Sequence, residues 1–209
     1  MPSKANYAKI VSLREEIYDC FKVNYNGREF FPIDQLGRLA TRQNVSEILA
    51  TVSEDMETLT DFATNDAARL FLILILMTTP RKEQVSLMRR LHDSGLKDDC
   101  LPVTFRKDDV GQKWLWIWGT SSSANFSCLI PEDWSRSERE LFNKYQWRFI
   151  IPIFGTRQPF CFQFDSHIRL PYLEVEKRAE SEWFFGEVRK VKIHYAYIRS
   201  PELAQVSIT

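Results

Sequence analysis

The chain has 209 residues, of which 44% are hydrophobic and 13% aromatic; this composition folds around a core and excludes a disordered protein. Its 28 basic and 28 acidic residues balance, so no global field favours nucleic acid or an anionic membrane. The start lacks the apolar core of a signal peptide, and the longest apolar run, residues 70–77, is too short to span a bilayer. We therefore expect a cytoplasmic or nuclear protein that is not secreted and has no membrane or nucleic-acid partner.

Helical spacing of apolar residues dominates the first half of the chain. It predicts a helix over residues 5–22, a short helix after Pro32, and a helix around Ile48 that begins at Asn44 or Ser46. An apolar core helix begins at Asp61 or Asn65 and runs to residue 77, and a further helix over 81–94 stops at Gly95.

Strand patterns appear in the second half. Trp114, Trp116 and Trp118 alternate with Leu115 and Ile117, which is typical of a strand, and a polar loop follows at residues 119–127. Residues 135–147 read as a helix, and 149–154 as an edge strand because of a proline at 152. From residue 160 onward the alternation predicts a β-hairpin. The fold class is thus α+β, with a mainly helical domain over residues 1–165 and a hairpin with its tail over 166–209.

Residues that carry metal or nucleophilic chemistry are scattered. The four cysteines (Cys20, Cys100, Cys128 and Cys161) form no C-x-x-C pair, so we expect reduced thiols and no metal site. His92-Asp93-Ser94 and Asp165-Ser166-His167 hold the residue types of a catalytic triad, but triad members are brought together by a fold and rarely stand side by side in sequence. We expect no catalytic residues.

Residues 170–194, LPYLEVEKRAESEWFFGEVRKVKIH, contain the familiar ending F-G-E-V at Phe185, Gly186, Glu187 and Val188. Protein kinases carry G-x-G-x-x-G-x-V between the first two strands of their small lobe. The segment resembles those strands in fungal serine/threonine protein-kinase-like proteins. Upstream, YQWRFIIPIF at 145–154 and LPYL at 170–173 follow the order of phrases in that family.

The resemblance implies a vestigial nucleotide loop at Gly186 and Val188. Ser181 and Trp183 stand where the family has its first two loop glycines, and a tryptophan adds bulk where a phosphate would lie. The sequence contains no H-R-D or D-F-G motif and no third strand with its lysine, so we expect a chain truncated before the catalytic lysine. No cofactor is expected; ATP would bind only if the missing kinase part were present.

These observations favour a non-catalytic regulatory or interaction region of a kinase-like protein, whose partner is another protein or the rest of a kinase domain. Two alternatives stay open: a free-standing binding module that uses the Trp114/Trp116/Trp118 stripe, and the front part of an active kinase whose catalytic part lies elsewhere. A lone hairpin leaves apolar surface and strand edges uncovered, so we expect it to pack on the helical domain near residues 149–154 or to self-associate.

Overall fold

The computed structural model describes residues 4–49, 56–77, 81–107, 114–118, 126–129, 135–155, 164–176 and 189–199. These residues form a mixed α+β fold, as the sequence predicts. The α-helices are α1 (Lys4–Cys20), α2 (Leu36–Leu39), α3 (Arg42–Leu49), α4 (Met56–Asn65), α5 (Ala68–Leu76), α6 (Arg81–Asp93) and α7 (Arg136–Phe149). The strands are β1 (Lys22–Val23), β2 (Glu29–Phe30), β3 (Thr104–Lys107), β4 (Trp114–Trp118), β5 (Phe126–Leu129), β6 (Tyr172–Glu176) and β7 (Lys190–Ile193).

The chain divides into two compact units that interleave along the sequence. The first unit contains residues 1–20 and 35–146, and the second contains residues 21–34 and 147–209. The predicted boundary near residue 165 concerns which part folds alone, and it stays a prediction.

The first unit is built around α5. Every residue of this helix except Arg69 is buried, and the helix contacts α1, α2, α4 and α6. Such an apolar helix has to be covered on all sides, and its neighbours bury their own apolar faces against it. In α1 the buried residues Ile10, Leu13 and Ile17 recur at the predicted helical spacing.

The first unit also holds a three-stranded antiparallel sheet in the order β3-β4-β5. The predicted strand at the tryptophans is therefore confirmed as β4. Segment 101–103 is fixed to α7 by Gln146, whose fully buried amide binds both backbone groups of Val103, accepting from its N–H at 2.9 Å and donating to its C=O at 3.0 Å. The Gln146 side chain thus satisfies both backbone groups of Val103, the residue just before β3.

The second unit joins two small antiparallel sheets, β1-β2 and β6-β7, around one apolar cluster. Phe30, Ile151 and Tyr197 form its buried centre, and Leu173 and Ile193 pack against them. The turn between β1 and β2 places Gly27 at φ +73°, a conformation that a residue with a side chain rarely adopts. The hairpin packs near residues 149–154, as expected, but these residues belong to the same unit as the hairpin and not to the helical unit.

The loop expected at residues 119–127 ends too late, because its last two residues belong to β5. Three other local predictions were wrong. Residues 149–154 are not a strand: α7 continues to Phe149, which is buried and stacks on Phe31, and Phe154 makes one parallel bridge to Ile198. Thr41, rather than Asn44 or Ser46, caps α3, because its hydroxyl accepts the N–H of Asn44 at 3.1 Å.

The third concerns the helix expected to begin at Asp61 or Asn65. Both residues belong to α4, which the sequence patterns missed, and α5 begins only at Ala68. The N–H groups of Arg69 and Leu70 at its start are accepted by the carboxylate of Asp98, a cap supplied from distant sequence.

No helix in the described part of the chain combines the length and the apolar character that crossing a membrane requires.

Candidate functional site

The residues predicted to form a vestigial nucleotide loop lie outside the described part of the chain. Gly186 and Val188, together with Ser181 and Trp183, fall within residues 177–188. The structure does describe the two strands on either side of this segment. The geometry of β6 and β7 is therefore what bears on the sequence prediction.

The strands β6 and β7 pair antiparallel, as predicted for the hairpin. Glu174 lies opposite Lys192 and Glu176 opposite Lys190, with an irregularity between Tyr172 and Glu174. The opposed charges form ion pairs of 2.7 and 3.1 Å between the lysine Nζ and glutamate Oε1 atoms. These four side chains are exposed, so the pairs add little stability and instead make one face of the hairpin polar.

The other face of the hairpin is apolar and partly buried. Leu173 of β6 and Ile193 of β7 pack against the buried cluster of the second unit, and Val175 lies opposite Val191 farther along the two strands. The start of β6 is held by a backbone bond of 2.8 Å from the N–H of Tyr25 to the C=O of Tyr172. The hairpin is therefore a packed part of its unit.

A buried histidine follows β7 directly. His194 stacks on Tyr195 and meets the edge of Phe30, and its Nδ1 accepts the N–H of Ala196 at 3.3 Å. Burial lowers the pKa of His194, a shift that Lys22 adds to and Asp34 opposes. The imidazole is thus held neutral, and it caps the short 3-10 helix Tyr195–Tyr197.

The two sequence triplets that contain triad residue types do not form triads. Asp165 Oδ1 and Ser166 Oγ both approach the same nitrogen of His167, Nδ1, at 2.9 and 3.5 Å. A relay needs the acid and the nucleophile on opposite nitrogens. His92 contacts the carboxylate of Asp93 at 3.1 Å through Nδ1, and both side chains are solvent-exposed. Neither geometry supports nucleophilic catalysis.

The tryptophan strand β4 pairs with β3, which contacts α7 through Phe105. In the register of β3 and β4, Trp116 lies opposite Phe105 and Trp114 opposite Lys107. Opposed residues of an antiparallel pair belong to the same face. Phe105 meets the edge of the buried Phe142 of α7, with ring centroids 6.0 Å apart. Phe105 of β3 thus packs on α7, and the binding role of the Trp114/Trp116/Trp118 stripe stays a prediction.

A groove of about 380 Å³ opens beside the same phenylalanine. Phe105, Asn143 and the exposed ion pair of Arg136 with Glu140 (2.7 Å) are among the residues that line it.

The second unit contains a group of charged residues that the sequence did not reveal, which we name the arginine cluster: Arg28, Glu29, Arg148 and Arg169. Arg148 Nη2 pairs with Glu29 Oε2 at 2.9 Å, and its guanidinium lies 4.9 Å from the ring centre of Phe21. Arg169 donates to the backbone C=O of Glu29. Arg28 donates to the C=O of Ser166 at 3.0 Å.

Burial, together with the charges of Arg148 and Arg28, lowers the pKa of Arg169 to about 10 against the opposing effect of Glu29. The guanidinium stays charged at neutral pH. Loss of water is the main cause of the lowered pKa of Arg169, and the neighbouring positive charges are the lesser one. No sequence signal could have found the cluster, because Arg169 and Glu29 are 140 residues apart.

The described residues contain no group of three or more histidine, cysteine, aspartate or glutamate side chains that could hold a metal ion. Comparisons with protein-family models, with curated proteins and with solved structures found no match for this chain. The resemblance to kinase-like proteins therefore depends on the quoted sequence motifs alone.

Proposed function

We propose that this chain is a non-catalytic regulatory or interaction region of a protein-kinase-like protein, and that it associates with a protein partner through the β6-β7 hairpin. The proposal joins the motif order of residues 145–194 to one structural observation. The hairpin has its apolar face on its own core and its polar face in solvent. What such a sheet offers a partner is the backbone at its edges and a charged surface.

A polypeptide with kinase-like sequence is the partner that this proposal favours. In the resembled family the small-lobe sheet has further strands after the first two, so the hairpin corresponds to an incomplete sheet. Adding a strand from another polypeptide supplies backbone hydrogen bonds, and the exposed lysine and glutamate pairs would select for complementary charge.

Site-specific photo-crosslinking tests the proposal. A photoreactive amino acid at Lys192, on the exposed face of β7, is compared with the same amino acid at Lys144, which is exposed on α7. We expect the probe at Lys192 to capture a polypeptide that carries kinase catalytic motifs, identified by mass spectrometry, and the probe at Lys144 not to do so. Equal capture at both positions, or capture without any kinase-like polypeptide, would contradict the proposal.

The non-catalytic part of the proposal has its own assay. The purified chain, incubated with labelled ATP, Mg²⁺ and a generic acceptor protein, should transfer no phosphoryl group, because its sequence contains no H-R-D or D-F-G motif. Transfer that survives stringent purification and follows the chain through every column would show that the chain is an enzyme.

A further inference from the structure

The arginine cluster carries more positive than negative charge. Its four side chains comprise three guanidinium groups and the single carboxylate of Glu29, which leaves two positive charges. Part of this charge is withdrawn from water: the side chain of Arg148 is 12% exposed, and Arg169 is half-buried. Like charges gathered in a partly desolvated place repel one another, and this costs folding free energy unless an anion relieves it.

The guanidinium groups of the cluster are held in place by contacts from several directions. Phe21 and Glu29 fix Arg148, and backbone carbonyl groups fix Arg28 and Arg169. Trp147 stacks on His167 at 5.2 Å between ring centroids, which ties the end of α7 to the segment that carries Arg169. Groups ordered in advance lose little entropy when a ligand binds.

Donors remain for a ligand. A guanidinium has five N–H groups, and each of the backbone bonds made by Arg28 and Arg169 uses one of them. Arg28 is solvent-exposed, so the cluster is reached from water. Planar guanidinium groups bind oxyanions through paired N–H bonds, and phosphate is the oxyanion best matched to several of them.

We propose that the arginine cluster binds a phosphate group through Arg28 and Arg169, beside the ion pair of Arg148 with Glu29. A phosphate dianion neutralises the two excess charges, whereas a single carboxylate would leave one. The phosphate can be a free anion or part of a phosphorylated side chain of a partner. This site does not depend on the proposed kinase relationship.

Titration with inorganic phosphate at constant ionic strength tests the site, with amide and arginine side-chain NMR shifts as the readout. We expect saturable shifts confined to residues 28–29, 148 and 166–169. Arg28→Gln removes one charge from the exposed edge and should weaken phosphate binding about tenfold, the value of one charge-assisted hydrogen bond. Glu29→Gln keeps an oxygen for Arg148 but removes the negative charge, and should tighten binding several-fold.

Arg136→Gln and Glu140→Gln are the matched controls, because they make the same changes of charge in an exposed ion pair on α7 outside the cluster. Both should bind phosphate as the parent chain does, and all four variants are compared by circular dichroism and melting temperature. A phosphoserine peptide that binds more tightly than inorganic phosphate would identify a phosphorylated partner as the source, and equal binding would identify the free anion.

Two results would overturn the proposal. Shifts that do not saturate would mean that the chain neutralises the cluster internally. Equal weakening by Arg28→Gln and Arg136→Gln would mean that phosphate responds only to net charge. In either case the crosslinking result at Lys192 would be unaffected, so the two proposals can fail separately.

Discussion

At the scale of single residues, two titratable groups make the stability of the fold depend on pH in opposite directions. Asp98 caps α5 by accepting the N–H groups of Arg69 and Leu70 at 2.8 and 3.0 Å. Burial nevertheless raises the pKa of Asp98 from 3.8 to about 6, because the loss of water outweighs those two bonds. His194 has a lowered pKa for the same reason, since burial disfavours its charged form.

The Asp98 carboxyl should make the protein less stable as pH rises from about 4 to 6. The folded state holds this proton more tightly than the unfolded state, so the free energy of unfolding falls while the folded carboxyl loses it. Asp98→Asn removes this titration. The substitution also lowers the free energy of unfolding by an amount that does not depend on pH, since one amide oxygen replaces two carboxylate oxygens.

Urea unfolding across this pH range measures the effect. The free energy of unfolding of Asp98→Asn, minus that of the parent, should rise by roughly 1–2 kcal/mol from the acidic to the neutral end of this pH range. This value is smaller than the full pKa change implies, because Asp98 is partly exposed. A difference that stays flat, or that falls with rising pH, would show that the helix N–H groups hold Asp98 ionised.

His194 should make the protein less stable as pH falls into the acid range. Its folded pKa lies below the ordinary value of 6.5, so its contribution to stability is present above that pH and is lost as pH falls through it. His194→Asn keeps an acceptor for the N–H of Ala196 but cannot gain a proton. As pH falls below 6.5, the free energy of unfolding should decrease less in the variant than in the parent. Equal decreases would contradict this account of His194.

At the scale of secondary-structure elements, one buried side chain fixes segment 101–103 to α7. Gln146→Met keeps the volume of the side chain but leaves the N–H and C=O of Val103 without their partner. We expect the free energy of unfolding to fall by about 2–4 kcal/mol, the cost of two buried and unsatisfied polar groups. Gln43→Met, at an exposed position on α3, is the control and should change stability by less than about 0.5 kcal/mol.

Denaturant unfolding measures this difference, provided that the free energy of unfolding depends equally steeply on denaturant concentration in both variants. Should Gln146→Met unfold at the same denaturant concentration as Gln43→Met, the amide of Gln146 would not be what holds Val103.

Elements with a strong local pattern could be predicted from the sequence, and elements fixed by distant contacts could not. The buried faces of α1 and α5, the strand at Trp114 and the hairpin of β6 and β7 all follow from periodicity. The end of α7 did not, because an apolar run such as residues 149–154 fits a strand as well as a helix end.

The candidate site shows the same division. The opposed charges of Glu174 and Lys192 follow from strand alternation once the pairing of β6 with β7 is known. The arginine cluster joins residue 29 to residues 148 and 169, and no short-range pattern links positions so far apart. Charge balance over the whole chain also concealed it, since a local excess of arginine is invisible in a net charge of zero.

At the scale of the whole molecule, the second unit unites segments that are far apart in sequence. Phe30, Ile151 and Tyr197 come from three such segments, and the hydroxyl of Tyr197 donates to the C=O of Phe31. Contacts of this kind close long loops, and the buried cluster has to offset the chain entropy that closing them costs. The hairpin thus packs within its own chain, and in the proposed function it presents a charged surface and strand edges to a partner.

Hydrogen exchange of the amides of β6 and β7 tests this central claim most directly. Measured over a wide range of protein concentrations, these amides should show the same protection at every concentration, because Leu173 and Ile193 are covered by the core of their own unit. Protection that appears only at high concentration would mean that the hairpin is stabilised by pairing between copies, and an absence of protection would mean that it does not pack at all. Either result would contradict the account.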